Sequence, residues 1–527
     1  MKKFKIYSLL FILLVSLSCT DQFREAEQEL AEGVTRMTTP AYLLSGSIVR
    51  ISTYYHEKGL GEDDFNAIML YYQQLFSVKA QSHEEFAQAP ENWGTEYKLL
   101  YDTQAGINVA EEAGLVSTVA AQQILQCLLF EYLTDIYGDI PYLEALNGRE
   151  GNVSPKFDKQ EDIYSGLLGT LDEAMATLAS SSDEIDAEGD LLYGGDKQSW
   201  IKFANSLKIR MLVRSYEAFG GSKKAELQAA ASASLINDNA NNATMAYEGS
   251  AANNSWMWGP ANNAWEDMTR RKPSIPFLDL LKANNDPRLL TWIAPALQPW
   301  GDADDAYTLT DYYGNSYDII VLDKSGEDIG DFPLGETYIG APLTVASLEY
   351  IYNEGTSSGS YDNFKLSSYT NLFGEDSNDL LKATLMEASE VSFCLAEAAQ
   401  RGWITGNAST YYEAGIAQNM DRWNISGADI STYLDANPLP TDNNNALVTI
   451  LTEKWKSLFT QGHQSWFNYR RTGVPAVVGI DPAYVALPFP SRWRYPTYEV
   501  DNNTENVDEA VARLGEDTQT AKIWLIK

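Results

Sequence analysis

The chain of 527 residues carries 38 Lys and Arg against 73 Asp and Glu, a formal net charge of −35 at pH 7, and a field of that sign repels phosphate backbones and argues against nucleic acid as a partner. Hydrophobic residues at 44% and charged residues at 21% lie near globular averages and argue against a wholly disordered, collagenous or multi-pass membrane chain. Tyr (31) and Trp (13) together outnumber Phe (18), which favours rings that stack on a ligand while a polar edge stays wet.

At the amino terminus Lys2, Lys3 and Lys5 precede an apolar run from Ile6 to Leu17, shorter than the ~20 residues that span a bilayer and within the range of a signal peptide. The run ends in Ser16-Leu17-Ser18-Cys19, a small residue directly before a cysteine, which resembles the lipobox of bacterial lipoproteins, with Ser16 where Leu is commonest. Residues 1–18 are then a signal peptide, Cys19 is the lipidated first residue of the mature chain, and 19–30 form a polar tether. Acyl chains at Cys19 anchor an otherwise soluble body, each buried CH₂ contributing about 0.8 kcal/mol. Cys127 and Cys394 sit in apolar helical stretches, QCLLF and SFCLA, where cysteine behaves as a small hydrophobe; buried free thiols are expected, with a disulfide as the alternative.

Between the tether and the first strong helix, Tyr71, Tyr72, Gln73 and Gln74 put rings beside amides. From Ala121 to Tyr137 apolar residues recur at three- and four-residue steps, and Gly138 and Pro141 stop the helix. The same pattern predicts helices over Ile163–Leu178, Trp200–Phe219, Glu387–Arg401, Tyr411–Trp423 and Leu447–Phe459. The pair EASEVSFCLAEAAQRGW and YYEAGIAQNMDRW resembles a tetratricopeptide unit, its small Ala and Gly positions letting two helices approach closely. One such unit cannot bury its own face, so several should stack.

From 237 to 384 Gly, Pro, Asn and Asp thicken and helical periodicity fades into loops and short strands such as Tyr317–Leu322. The expected architecture is mostly α: stacked helix pairs over about 31–236 and 385–527, a single unit, carrying a loop-rich insert over 237–384. Loops on a rigid scaffold are where binding groups concentrate. Within NNSWMWGPANNAWEDM, Trp256, Trp258 and Trp265 interleave with Asn253, Asn254, Asn262 and Asn263. Rings stack on the apolar face of a sugar while amides bond its hydroxyls; the alternative is that all three Trp pack beneath a loop. The expected ligand residues are Trp256, Trp258, Asn263 and Trp265, then Tyr72 and Gln73, then Trp300, which with Tyr312 and Tyr313 flanks the acidic stretch Asp302, Asp304, Asp305.

Catalytic and metal patterns do not assemble. His56-Glu57 has Leu60 where a zincin needs its second His, and His83 and His463 stand far apart. Gly355-Thr356-Ser357-Ser358-Gly359 matches G-x-S-x-G without the strand and helix of a nucleophile elbow. Asn237, Asn239, Asn241 and Glu248 have calcium-loop spacing but lack its Asp and Gly. Arg470 and Arg471 beside Trp466 read better as partners of carboxylates than as an anion clamp. Paired glycosidase carboxylates are not identifiable among so many acids. No catalytic residue, cofactor or metal is assigned.

The strings LTDIYGDIPYLEAL, PKFDKQEDIY, LYGGDKQSWIKFANSLKIRMLVR, SEVSFCLAEAAQRGW, WFNYRRTGVP and PSRWRYPTYEVDNN run in order from Leu133 to Asn503. Together they resemble the SusD/RagB family of nutrient-binding outer-membrane lipoproteins, nearest its second, SusD-like branch. The resemblance implies stacked tetratricopeptide-type helix pairs, a lipid anchor at the cell exterior, and non-catalytic capture of glycans or other nutrients for a SusC-like TonB-dependent transporter. The strings themselves read as scaffold: Gly138 and Pro141 fix a corner, and Asp196 caps the helix whose Trp200, Phe203 and Leu207 share a face. A secreted carbohydrate-active hydrolase, a structural surface protein, and capture of peptides or other nutrients stand as alternatives.

Overall fold

Val116–Tyr137 is apolar around most of its circumference, with Ile124, Leu125, Leu128, Leu129, Leu133 and Ile136 all buried, and a helix of that kind belongs at the centre of a stack. A computed structural model describes residues 39–60, 75–77, 93–148, 151–251, 254–256, 259–262, 271–325, 333–340, 364–476 and 490–527. In chain order its helices are α1 (Pro40–Leu60), α2 (Trp93–Glu112), α3 (Val116–Tyr137), α4 (Gln160–Ser180), α5 (Lys197–Ser215), α6 (Lys224–Ala231), α7 (Ile275–Ala283), α8 (Arg288–Trp292), α9 (Ala388–Gln400), α10 (Ala408–Arg422), α11 (Gly427–Ala436), α12 (Asn443–Ser457), α13 (Gly462–Thr472), α14 (Thr497–Asn502) and α15 (Thr504–Leu514). The proposed signal peptide and Cys19 lie outside the described residues. Among the latter, no helix is long and apolar enough to cross a membrane.

Neighbours in sequence are neighbours in space: α1 packs on α2, α2 on α3, α3 on α4 and α4 on α5. The array then jumps in sequence, α5 packing on α9, which pairs with α10 and α12. The small positions act as expected. A Cβ on Gly415 of α10 would lie 2.9 Å from the ring of Phe393 on α9, so only glycine permits this approach. One buried apolar cluster runs through the array from Leu44 to Leu525. Cys127 and Cys394 are free and buried within it, and burial pushes both thiols up.

All six periodicity-predicted helices form, shifted by a few residues at their ends. At the corner after α3, Gly138 takes φ 89°, its N–H bonding Thr134 O, and a Cβ there would meet Ile523 at 2.8 Å. Asp196 caps α5 as anticipated, accepting from the N–H groups of Gln198 and Ser199. The loop-rich segment 237–384 also carries a short helix, α7. The Ser274 hydroxyl accepts the Phe277 N–H and Pro276 lies in the first turn, a start signal for α7 that outweighs the polar composition around it.

Candidate functional site

The excursion from 237 to 384 leaves and re-enters the helical array at one place because its ends pair with each other. Strand Ala243–Ala246 runs antiparallel to Lys382–Met386, with Ala383 opposite Met245 and Thr384 opposite Thr244. Deeper in, a buried ionic cluster ties the excursion to the last helices. Arg288 of α8 makes a two-pronged bond to Asp286 at 2.8 and 2.6 Å, reaches Glu453 of α12 at 2.6 Å, and bonds Asn419 of α10 at 2.9 Å. Lys456 completes the balance, 2.7 Å from Glu453 and 3.1 Å from Asp286. Burial opposes ionisation of Asp286, but Arg288 and Lys456 overcome it and hold its carboxyl at about 2. Sequence reading passed over these residues; the available signal was an Asp-Pro-Arg step entering an apolar stretch.

The structure separates the expected aromatic groups. Trp256 is 1% exposed, packed against His56 of α1 at 4.8 Å, Tyr247 at 6.3 Å and Phe373 at 6.2 Å between ring centroids. Its backbone N–H donates to Asp376 O at 2.7 Å, and the Asp376 carboxylate accepts the Ala261 N–H. The expectation that Trp256 stacks on a ligand is therefore corrected: it pins the loop to the scaffold. Absence of helical periodicity does not put a Trp on the surface when strands and turns close over it. Trp258, Asn263, Trp265, Tyr72 and Gln73 lie outside the described residues. The chain on either side of them is placed, however, and strand Leu75–Ser77 pairs antiparallel with Arg271–Pro273, Phe76 opposite Lys272. Tyr312 and Tyr313 serve docking, Tyr312 donating to Asp429 at 2.9 Å and Tyr313 to Trp423 O at 3.3 Å.

Trp300 keeps part of its ring in solvent. It belongs to a three-stranded sheet in which Trp300–Gly301 runs parallel to Ser316–Asp323, itself antiparallel to Asp305–Thr310. The central strand matches the expected Tyr317–Leu322. Its odd-numbered residues Tyr317 and Ile319 are buried with Ala294, while Asp318 and Ile320 face out, the alternation a half-buried strand requires. Asp311 closes the turn, accepting from the N–H groups of Tyr313 and Asn315 and the Tyr317 hydroxyl.

The remaining candidates resolve as scaffold. His56 and His463 are buried, and burial lowers both, so they stay neutral; His83 and the 355–359 stretch lie outside the described residues. Asn239 bonds Gln418 O and Asp421, and Asn242 accepts the Ala388 N–H, so these amides hold chain to chain. Arg471 forms the expected carboxylate pair, with Glu397 at 2.7 and 2.8 Å, whereas Arg470 lies over the Trp466 and Phe467 rings and bonds Ser491 O. Among the described residues no group of three or more His, Cys, Asp or Glu is placed to hold a metal. A cleft lined by Gly138, Asp139, Tyr495, Arg513 and Trp524 has a volume of about 40 Å³, room for water rather than a sugar ring.

A family model for SusD-like proteins, described as starch-binding associating with outer membrane, matches residues 34–496. In fold the chain is similar to a SusD homologue from Bacteroides fragilis NCTC 9343, at 22% identity and a TM-score of 0.74, covering 93% of this chain and 100% of that one. It is similar to a chitin-binding protein at 24% identity and a TM-score of 0.71, with the same coverage. It is also similar to a chitin-binding SusD homologue from Flavobacterium johnsoniae, at 19% identity and a TM-score of 0.67, covering 92% and 98%. No curated protein matches the chain.

Proposed function

The chain belongs to the SusD-like family, described as starch-binding and associated with the outer membrane, and on that premise we propose that it is a non-catalytic capture protein that holds glycans at the cell surface and hands them to a SusC-like TonB-dependent transporter. The observation that carries this is the agreement of the family match with a helical array that anchors a loop-rich excursion at both its ends and its middle. Such an arrangement presents binding loops from a body that does not need to move. Lipid at Cys19 would tether the body, with Asp21, Glu25 and Glu27 in the position of an export signal. The ligand residues we propose are Trp300 together with Trp258, Trp265, Asn263, Tyr72 and Gln73; Trp256 is left to packing.

Purified mature protein run through gels containing starch, chitin fragments or other polysaccharides tests this reading. Retardation without release of reducing ends is expected, and release of reducing ends would overturn it in favour of a hydrolase. Changing Cys19 to Ala should move the protein into soluble fractions; continued recovery with membranes would count against the anchor.

A further inference from the structure

A buried ammonium lies against the ring of Trp300. Lys365 is only 6% exposed, and its Nζ stands 4.7 Å from the centroid of the indole, within the range of a cation–π contact. Lysine is rarely buried without groups that balance its charge, so the ring is part of what keeps it there. The segment that carries Lys365 is fixed on both sides. The Phe364 carbonyl accepts the Gln298 N–H at 2.9 Å, and Ser367 bonds Ile339 twice, its N–H donating to Ile339 O at 2.9 Å and its hydroxyl accepting the Ile339 N–H at 3.0 Å. The backbone of Trp300 is fixed as well. Its carbonyl accepts the Gly335 N–H at 2.9 Å, and Trp300–Gly301 pairs with Leu322 and Asp323.

The rest of the ring meets different surroundings. Side chains alternate across a strand, so Trp300 shares one side of the sheet with Leu322 and Ile320, and Ile320 is 52% exposed. Phe364 and Leu334, next in the chain to Lys365 and Gly335, are exposed too. Trp292, Trp403, Trp423 and Trp466 also carry a cation over the ring, in each case an arginine, and all four are buried. There the pair is part of the core. At Trp300 the same contact is made by a ring that stays half-buried, engaged from within and open outside. An unheld indole at a surface turns about its side-chain bonds, and a ligand that stacks on it must first order it. An ammonium against the ring removes that cost before ligand arrives.

We propose that Lys365 is a positioning residue for glycan capture: its ammonium holds the Trp300 indole with one face toward solvent, and a neutral sugar ring stacks on that face. The proposal rests on the reading of Trp300 as a ligand residue. The test titrates the full mature protein with N-acetylglucosamine hexamer and with maltohexaose, and repeats the tighter titration on Trp300→Ala, Lys365→Met, Lys365→Arg and the double variant Lys365→Met with Trp300→Ala. Trp300→Ala should weaken binding by about tenfold. Lys365→Met should weaken it by about fivefold, whereas Lys365→Arg, which keeps a cation over the ring, should stay within about twofold of wild type. The double variant should bind as Trp300→Ala does, because Lys365 acts only through the ring. Fluorine NMR of protein grown on 5-fluorotryptophan reads the ring itself: the Trp300 resonance, identified by its loss in Trp300→Ala, should show a more mobile ring in Lys365→Met without ligand and the wild-type ring in Lys365→Arg. Melting temperatures equal to wild type show that the variants are folded.

Losses that multiply in the double variant would overturn the proposal. So would a Lys365→Arg protein as weak as Lys365→Met, or a Trp300 fluorine signal that Lys365→Met leaves unchanged. If Lys365→Met does not fold, wild type decides: fluorine relaxation like that of the buried tryptophans supports a held ring, and relaxation of a freely turning one refutes it. A folded Trp300→Ala that binds the hexamer unchanged sinks this inference and leaves glycan capture standing, as does binding of neither hexamer by a protein that polysaccharide gels retard. Failure to bind any oligosaccharide or polysaccharide would remove both.

Discussion

The helical array and the excursion it carries are held by the same chemistry arranged at different densities. In the array, Arg210 of α5 makes a two-pronged bond to Glu390 of α9 at 2.7 Å for each contact, reaches Glu131 of α3 at 3.4 Å, and bonds the Tyr55 hydroxyl of α1 at 3.2 Å. One turn on, Arg214 bonds Glu131 at 2.9 Å, with Asp135 of α3 and Gln464 of α13 also in its reach. Two arginines thus join five helices inside a continuous apolar core. Among its described residues the excursion has one comparable cluster, at Arg288, and otherwise short strand pairs, single packed rings such as Trp256, and carboxylates such as Asp311 and Asp376 that accept backbone N–H groups. The array is specified by many mutually dependent contacts, whereas the excursion is pinned at a few points. Between pins its sequence is free to change for binding without loss of the fold.

The sharpest way to break this contrast is at the array's centre. Arg210→Met should cost about 3–5 kcal/mol, because Glu390 would remain buried without its two-pronged partner and Glu131 would keep only Arg214. Urea denaturation followed by circular dichroism reads the loss, and a shift below about 1 kcal/mol would mean that the network is not what joins the helices. In the excursion the matching change is Trp256→Ala, expected to cost about 3 kcal/mol by removing a buried indole. Proteolysis within 237–384 should rise while glycan retention by the folded fraction stays near wild type. Weakened retention with unchanged stability would return Trp256 to the ligand site.

Acid tests both regions together. Burial opposes ionisation of Glu397 in α9, but Arg471, Lys454 and Arg401 overcome it and hold the carboxyl at about 2, and Asp286 in the excursion is likewise held at about 2. Both folded values lie below the unfolded ones, so the stability they contribute is present above pH ~4.5 and is lost as pH falls toward 2. About 2–3 kcal/mol from each carboxylate is expected to disappear over that window. A denaturant midpoint unchanged from pH 6 to pH 3 would contradict it.

Glu96 has the opposite sign. Burial raises its carboxyl to about 7 despite the hydrogen bond donated by Tyr54. Its contribution is full below pH ~4.5 and declines as pH rises through about 7, by up to about 3 kcal/mol. Glu96→Gln should flatten the profile between pH 5 and 8, and an unchanged slope would count against it. The smallest stability effect is expected for Trp258→Ala and Trp265→Ala, under about 0.5 kcal/mol, with glycan retention weakened about thirtyfold if the rings stack on ligand. Early unfolding with normal retention would class them with Trp256.

The helices, their faces and several of their stops were legible in the sequence because these are local properties. Periodic apolar residues, Asp196 as a cap and Gly138 past a helix end each act within a turn or two of chain. The short strand at Tyr317–Leu322 was legible for the same reason, from its aromatic and β-branched residues, and the ordered strings from Leu133 to Asn503 pointed to the family. What a residue meets across the fold was not legible. Nothing in KIRMLVR says that Arg210 and Arg214 face carboxylates from α3 and α9, since those partners lie 79 to 180 positions away. Nor does NNSWMWGP say that Trp256 turns in against His56, 200 residues earlier in the chain. Loop composition reports a lack of regular backbone and leaves the direction of each side chain open. Only the closing of strand Ala243–Ala246 on Lys382–Met386, with Asp376 bonded to Trp256 and Ala261, decides that this ring is core while Trp300 remains partly in solvent.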